Sequence, residues 1–266
     1  MARLLLIIFA FAGLTNGLFA QSLRFPNGAK AAICLTYDDG MSSQIQVAIP
    51  QLDRAGLKGT FFLNGQTEIP LVLLWRKAAQ NGHELANHSL FHPCESWKNE
   101  WASANYTNAR MIREMAVLNT ELFLIDNKTE PRSYAYPCSE VTLRGKSYVD
   151  TLRQTGIVRY ARIGGDNKAV ITDFQSLDSL LVPSYAVAHG TSGEQLIDFA
   201  KQTEAKGGLG VFMFHGIGNQ WIVTPNESHQ KLVDYLAQNK DKIWVATFSE
   251  IMTYVTDWQK KHPKSR

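Results

Sequence analysis

The chain has 266 residues, 45% hydrophobic and 19% charged, with 27 basic against 24 acidic side chains. A net charge of +3 is too small to argue for nucleic acid or an anionic membrane surface as a partner. No repeat in the solenoid range, no charge block and no low-complexity tract occurs, which excludes a repeat architecture.

Arg3, the apolar run Leu4 to Leu14 and the small or polar residues up to Ala20 have the layout of a secretory signal peptide. The run is about half the ~20 residues of a membrane span, although Leu18 at the minus-three position is larger than usual. An uncleaved anchor or a buried strand is the alternative. No cysteine follows the run, which argues against a lipid anchor. The expectation is a signal peptide over 1–20 and one domain over 21–266 in a secreted or periplasmic setting. Its size suits a single α/β barrel, and its charge, without Arg3, is +2.

The remaining chain alternates short apolar runs with helical patterns. Strands are predicted at Lys30 to Tyr37, Gly59 to Leu63, His83 to Asn87 and Arg132 to Tyr136. Ile157 to Ala161, Leu209 to Phe214 and Ile243 to Ala246 are predicted to be extended as well. Leu180 to Val187 contains Pro183 and is expected to be an irregular or edge strand. Helices are predicted at Gln44 to Ala55, Ile69 to Gln80, Thr107 to Asp126, Ser147 to Thr155, Glu194 to Lys206 and Ser228 to Gln238. In the third, Met111, Met115, Leu118, Leu122 and Ile125 line one face. A last helix starts near Thr247, where Thr247 and Glu250 have capping-box spacing, and runs to about Trp258. The alternation predicts a parallel sheet covered by helices, a barrel of about seven strands rather than an open sheet.

Polar clusters fall where these strands end, the place where chemistry collects in such folds. Thr36-Tyr37-Asp38-Asp39-Gly40 ends the first strand. Asp and Gly favour solvated turns, and along a regular strand Asp38 and Asp39 would face opposite sides. They share a site only if the strand stops there, which Gly40 permits. Asn87-His88-Ser89-Leu90-Phe91-His92 follows the third strand, and two histidines four apart can hold a metal, though such a pair is commonly structural. Phe212-Met213-Phe214-His215-Gly216 sets His215 at another strand end. Tyr134-Ala135-Tyr136-Pro137-Cys138-Ser139 is a fourth strand running into a turn. Cys34 lies in an apolar strand, whereas Cys94 and Cys138 each follow one of these motifs. If the motifs meet, Cys94 and Cys138 can be bridged; otherwise all three thiols are free. Sequons at Asn87, Asn105, Asn127 and Asn226 matter only in a glycosylating host.

Together, in this order, the clusters resemble the polysaccharide deacetylase family (NodB homology domain, carbohydrate esterase family 4) over roughly residues 28 to 255. The resemblance implies an α/β fold, a distorted (β/α) barrel. It implies hydrolysis of acetyl groups from an acetylated polysaccharide or oligosaccharide, with no nucleic acid partner and no membrane after signal cleavage. Asp38 would be the general base and His215 the general acid. Asp39, His88 and His92 would bind one divalent metal ion, Zn2+ before Co2+, Ni2+ or Mn2+. Ser89 would brace the metal loop, and Tyr136, Pro137 and Cys138 would supply substrate and oxyanion contacts. The sequence departs from the family pattern twice. Ala135 stands where an arginine usually orients the base, with Arg132 and Arg162 as candidate substitutes. The fourth motif is not recognisable among Asp166, Asp173 and Asp178.

The leading expectation is N-deacetylation of an N-acetylglucosamine glycan such as chitin or peptidoglycan. Its rivals are an O-acetyl esterase on acetylxylan and a carbohydrate-binding protein without turnover. Trp97, Trp101 and Trp221 are candidate sugar-stacking residues or core. A glycosidase using Asp38 and Asp39 fits poorly, because sequence neighbours do not span the roughly 5 to 10 Å between paired carboxyls.

Overall fold

The computed structural model describes residues 23–65, 68–165 and 170–264, so the expected signal peptide lies outside it. In chain order the strands are β1 (Ala31–Asp38), β2 (Thr60–Leu63), β3 (Glu84–Asn87), β4 (Arg132–Ala135), β5 (Thr142–Leu143), β6 (Lys146–Ser147), β7 (Val158–Arg162), β8 (Tyr185–Ala186), β9 (Leu209–Phe214) and β10 (Ile243–Val245). The helices are α1 (Ile49–Ala55), α2 (Ile69–Gln80), α3 (Asn108–Asp126), α4 (Val149–Thr155), α5 (Gly193–Lys206), α6 (Asn226–Gln238) and α7 (Phe248–Lys261).

Seven strands run parallel in the order β7-β4-β3-β2-β1-β9-β8, and β10 pairs with the start of β1. The path curls into a distorted barrel. Its edges meet through the Arg162–Val182 bridge and the hydrogen bond from the Ala186 N–H to the Gly165 carbonyl. This joint is irregular because Pro183 has no N–H to give to a ladder. The expected extended stretch Leu180 to Val187 therefore reduces to two regular residues.

Strand periodicity sorts the side chains. Ile33, Leu35, Tyr37, Leu63, Leu85, Phe212 and Phe214 pack outward under the helices. Ala32, Cys34, Phe62, Ala86, Ala135, Tyr160 and Val211 fill the barrel with Phe248, Ile251, Met252 and Val255 of α7. Both faces are covered, which is why the strands are near-continuous apolar runs. The same parity carries Asp38, His88, Arg162 and His215 onto the inner face at the C-terminal rim.

Helix boundaries follow local chemistry. Ser192 and Thr247 close capping boxes at α5 and α7. Gly56, Gly156 and Gly207 end α1, α4 and α5 in the left-handed conformation. The predicted helix over Gln44 to Ala55 divides: its first turn, Gln44–Ala48, is π-helical.

Candidate active site

Each rim residue is placed by a strand that stops. Strand β1 ends at Asp38; Asp39 and Gly40 then take φ of +73° and +64°. That left-handed pair breaks the alternation and brings both carboxylates to one side. A side chain at Gly40 would meet Leu63 at 2.9 Å, so the turn has room only for glycine. After β3, Ser89 (φ +60°) and His92 (φ +49°) curl the chain back on itself. The Ser89 hydroxyl accepts a 3.0 Å bond from the His92 N–H, and the Asn87 side chain accepts one from the Ser89 N–H at 2.8 Å. Asn87 is fully buried and also donates to Met115 and Asn119, so its sequon carries no glycan in the folded chain.

His88 Nδ1 donates to the Ala135 carbonyl at 2.8 Å. That bond fixes the tautomer and leaves the Nε2 lone pair facing inward. His92 Nε2 lies 3.1 Å from it, and Asp39 Oδ1 is 3.7 and 3.6 Å from the two nitrogens. All three ligand atoms fall within 4.8 Å of one another. Two imidazole nitrogens and a carboxylate oxygen turned on one point offer a cation three donor atoms. Two nitrogens and one oxygen with open positions suit a catalytic divalent ion. Burial, and next the neighbouring charge of Asp38, push the Asp39 carboxyl up to about 6, while burial brings His88 down to about 3. A bound cation favours the ionised Asp39 and the neutral imidazole alike, so the donor set fits the metal.

Asp38 is 3% exposed. Burial alone would raise its carboxyl, but the Arg162 guanidinium, with His88 and His215, overrides that and holds it below its ordinary value. Arg162 Nη2 lies 2.5 Å from both Asp38 oxygens, and Nη1 reaches Ser184 at 3.2 Å. Ala135 is the register partner of Arg162 across β4 and β7. The small side chain on β4 leaves the interior space that the β7 guanidinium fills. Arg132, the other candidate, is spent at the opposite end of the strand on Asp126 (2.7 and 2.8 Å) and the Leu85 carbonyl.

His215 follows β9, and the next position has room only for glycine, since a Cβ at Gly216 would lie 2.2 Å from the Asn219 carbonyl oxygen. His215 Nδ1 is buried and has no hydrogen-bond partner among the described residues. Asp173 caps the Ser176 N–H, and Asp178 binds Arg153 and the Leu180 N–H. Neither supports His215; Asp166 lies outside the described residues.

Cys94 and Cys138 form a disulfide, and Cys34 is a buried free thiol. The bridge ties the His92 loop to the turn after β4, where Cys138 has φ of +52°. Pro137 is buried there, and the Tyr136 side chain points into the core, its hydroxyl on the Leu180 carbonyl at 3.0 Å. Only backbone groups of Tyr136 are left for a ligand. Of the tryptophans, Trp97 and Trp221 line the cleft of about 550 Å³ with Asp39, Asn64 and His92. Trp101 instead stacks on Phe91 at 4.1 Å. A larger hollow of about 840 Å³ lies at the other end of the sheet beside Glu84. Glu84 is occupied there by Thr60, Ser133 and the Ser249 N–H, so that carboxylate is committed to holding β2, β4 and α7 together.

Two polar residues at the site escape the sequence reading. Asn64 donates to Asp39 at 3.4 Å, and its position after the apolar β2 is the same strand-end signal. Gln44 bonds the carbonyls of Asp38 and His215, and nothing in its local sequence marks it.

The family model for polysaccharide deacetylases matches residues 26–158, half of the chain. The peptidoglycan-N-acetylglucosamine deacetylase PgdA of Listeria monocytogenes is 35% identical over 78 residues; that stretch is 27% of this chain and 17% of PgdA. The chain thus spans less than a fifth of that relative. A structure from Mycobacterium smegmatis, described as a candidate polysaccharide deacetylase, superposes with a TM-score of 0.67 at 17% identity. It covers 92% of this chain and 96% of its own. The Xyl-CE4 domain of a multidomain xylanase from a Trinervitermes trinervoides hindgut metagenome gives a TM-score of 0.52 at 19% identity, over 84% of this chain and 90% of that domain. The two solved structures share the fold, and the family match carries the assignment: this chain belongs to the polysaccharide deacetylase family.

Proposed function

We propose that the chain is a secreted or periplasmic, metal-dependent deacetylase that removes N-acetyl groups from an N-acetylglucosamine glycan of the peptidoglycan or chitin type. The observation that carries the reading is the convergence of Asp39, His88 and His92 on one point, beside a buried Asp38 held ionised by Arg162. Asp39 Oδ1, His88 Nε2 and His92 Nε2 would hold one divalent ion, zinc before cobalt, nickel or manganese. Such an ion, when bound, polarises the acetyl carbonyl and acidifies water.

The chain's own groups do the proton transfers. Asp38 Oδ2, the oxygen 3.7 Å from His88 Nε2, takes a proton from the attacking water. Arg162 keeps that carboxylate ionised and pointed. The backbone N–H at Cys138, braced by the disulfide, donates to the developing oxyanion. His215 Nδ1 is buried, so Nε2 delivers the proton to the departing amine. Water adds to the acetyl carbon, the carbon–nitrogen bond breaks, and acetate and a free amine leave. Trp97 and the exposed Trp221 offer flat apolar faces to sugar rings at the cleft. The disulfide supports export, since such bridges persist in oxidising compartments.

Acetate release from chitin oligomers, peptidoglycan and acetylxylan, by protein reloaded with zinc, cobalt, nickel or manganese, tests the reading. Release from the two N-acetylated polymers, abolished by a chelator and restored by metal, is expected. Release from acetylxylan alone makes the chain an O-acetyl esterase. Chelator-insensitive release, or none, overturns the proposal.

A further inference from the structure

The ladder between β1 and β9 runs from Ala32–Leu209 to Tyr37–Phe214 and stops. The next pair in that register is Asp38 and His215. No ladder bond joins them in the pairing; a side chain does. Gln44 Nε2 donates to the Asp38 carbonyl at 2.6 Å and to the His215 carbonyl at 3.1 Å. An amide nitrogen has two hydrogens, one for each acceptor. The reversed amide would set an oxygen against two carbonyl oxygens, so the orientation is fixed. Gln44 is fully buried and opens the π-helical turn after the Asp-Asp-Gly element, a distortion that recurs at functional sites.

Neighbouring contacts run the same way. The Ile217 N–H donates to the Ser43 hydroxyl at 3.2 Å, the Ser43 N–H to the Gln220 side chain at 2.9 Å, and Gln220 to the Ser42 hydroxyl at 3.0 Å. The loop after β1 and the loop after β9 are thus stitched together, with Gln44 as the innermost stitch.

We propose that Gln44 is a positioning residue that sets the spacing between Asp38 and His215 on opposite sides of the reacting acetyl group. The inference rests on the base and acid roles given to those two residues above. Apolar packing alone does not account for glutamine here, because a leucine or methionine fills similar space without the two bonds. A displacement of about 1 Å between reacting groups can lower a rate by about a hundredfold.

The test compares wild type, Gln44→Met and Gln44→Glu for acetate release, cation affinity by calorimetry and melting temperature. The expected result is a kcat lower by roughly 10- to 100-fold in Gln44→Met, with KM and cation affinity within threefold of wild type. Gln44→Glu is expected to be worse, since a carboxylate there faces two carbonyls and Asp38. A Gln44→Met kcat within twofold of wild type overturns the inference. So does a kcat loss matched by equal losses of cation affinity and melting temperature, which is what a general structural role gives. Should Gln44→Met not fold, Gln44→Asn, whose amide is one methylene too short to keep both carbonyls, takes its place; unchanged kcat there overturns the inference, and a selective fall in kcat upholds it. A wild type that turns over beside an indistinguishable Gln44→Met sinks the inference alone. A wild type releasing no acetate from any substrate sinks the underlying reading and the inference with it.

Discussion

Asp38 and Arg162 form an ion pair in which both side chains are almost wholly buried. Removing one partner of such a pair strands a charge and costs about 3–5 kcal/mol. Arg162→Met is therefore expected to lower unfolding stability by about that amount and to let the Asp38 carboxyl rise, as urea titration and a pH–rate profile will read. Asp38→Asn is expected to cut turnover by about 10²–10⁴-fold while elemental analysis still finds one metal per chain. His88→Ala should lose metal and turnover together. An Asp38→Asn protein with undiminished acetate release would show that another group takes the proton.

At the scale of elements, the Cys94–Cys138 bridge closes a loop with a sequence separation of 44. Loop-closure entropy for that length is worth about 4 kcal/mol. Cys94→Ala/Cys138→Ala is expected to lose most of it by chemical denaturation. Its cation affinity should fall as well, because the bridge anchors the chain two residues beyond His92. Legibility in the sequence also divides by element. Strands buried on both faces, α3 with its apolar stripe and the capped α7 follow from patterning that the fold keeps. The β5–β6 hairpin does not: each strand has two residues, and its turn depends on Arg144 and Gly145 at φ of +52° and +73°, too little chain for a periodic signal. The π-helical turn Gln44–Ala48 before α1 is equally hidden.

For the whole molecule, stability is coupled to pH through a residue away from the metal site. His229 is fully buried; its Nε2 meets the Tyr37 hydroxyl at 2.7 Å and its Nδ1 bonds Gln51. Burial lowers its folded pKa to about 3. The unfolded imidazole, with an ordinary value of about 6.5, gains a proton that the folded one refuses. Stability from this group is therefore complete above about pH 6.5 and declines between there and about 3, by about 1.4 kcal/mol per pH unit. From pH 7 to 5 the wild type is expected to lose about 2 kcal/mol more than His229→Gln, measured as urea midpoints. Equal losses in the two proteins would assign the acid sensitivity to other groups.

By itself the sequence determined the layered α/β architecture and the rim on which polar groups collect. Both depend on apolar periodicity and strand-end chemistry, which are local in the chain. It also supplied Asp38, Asp39, His88, His92 and His215 as candidates, because each closes or follows an apolar strand. Only the tertiary structure decided between Arg132 and Arg162. Arg162 lies 124 residues from Asp38, and the two meet through strand register, including the shift between Arg132 and Ser133 in the β4–β7 pairing. The disulfide and the Gln44 link were decided in the same way. A pairing between segments far apart in the chain is set by how strands align across the barrel, and no short stretch of sequence contains that alignment.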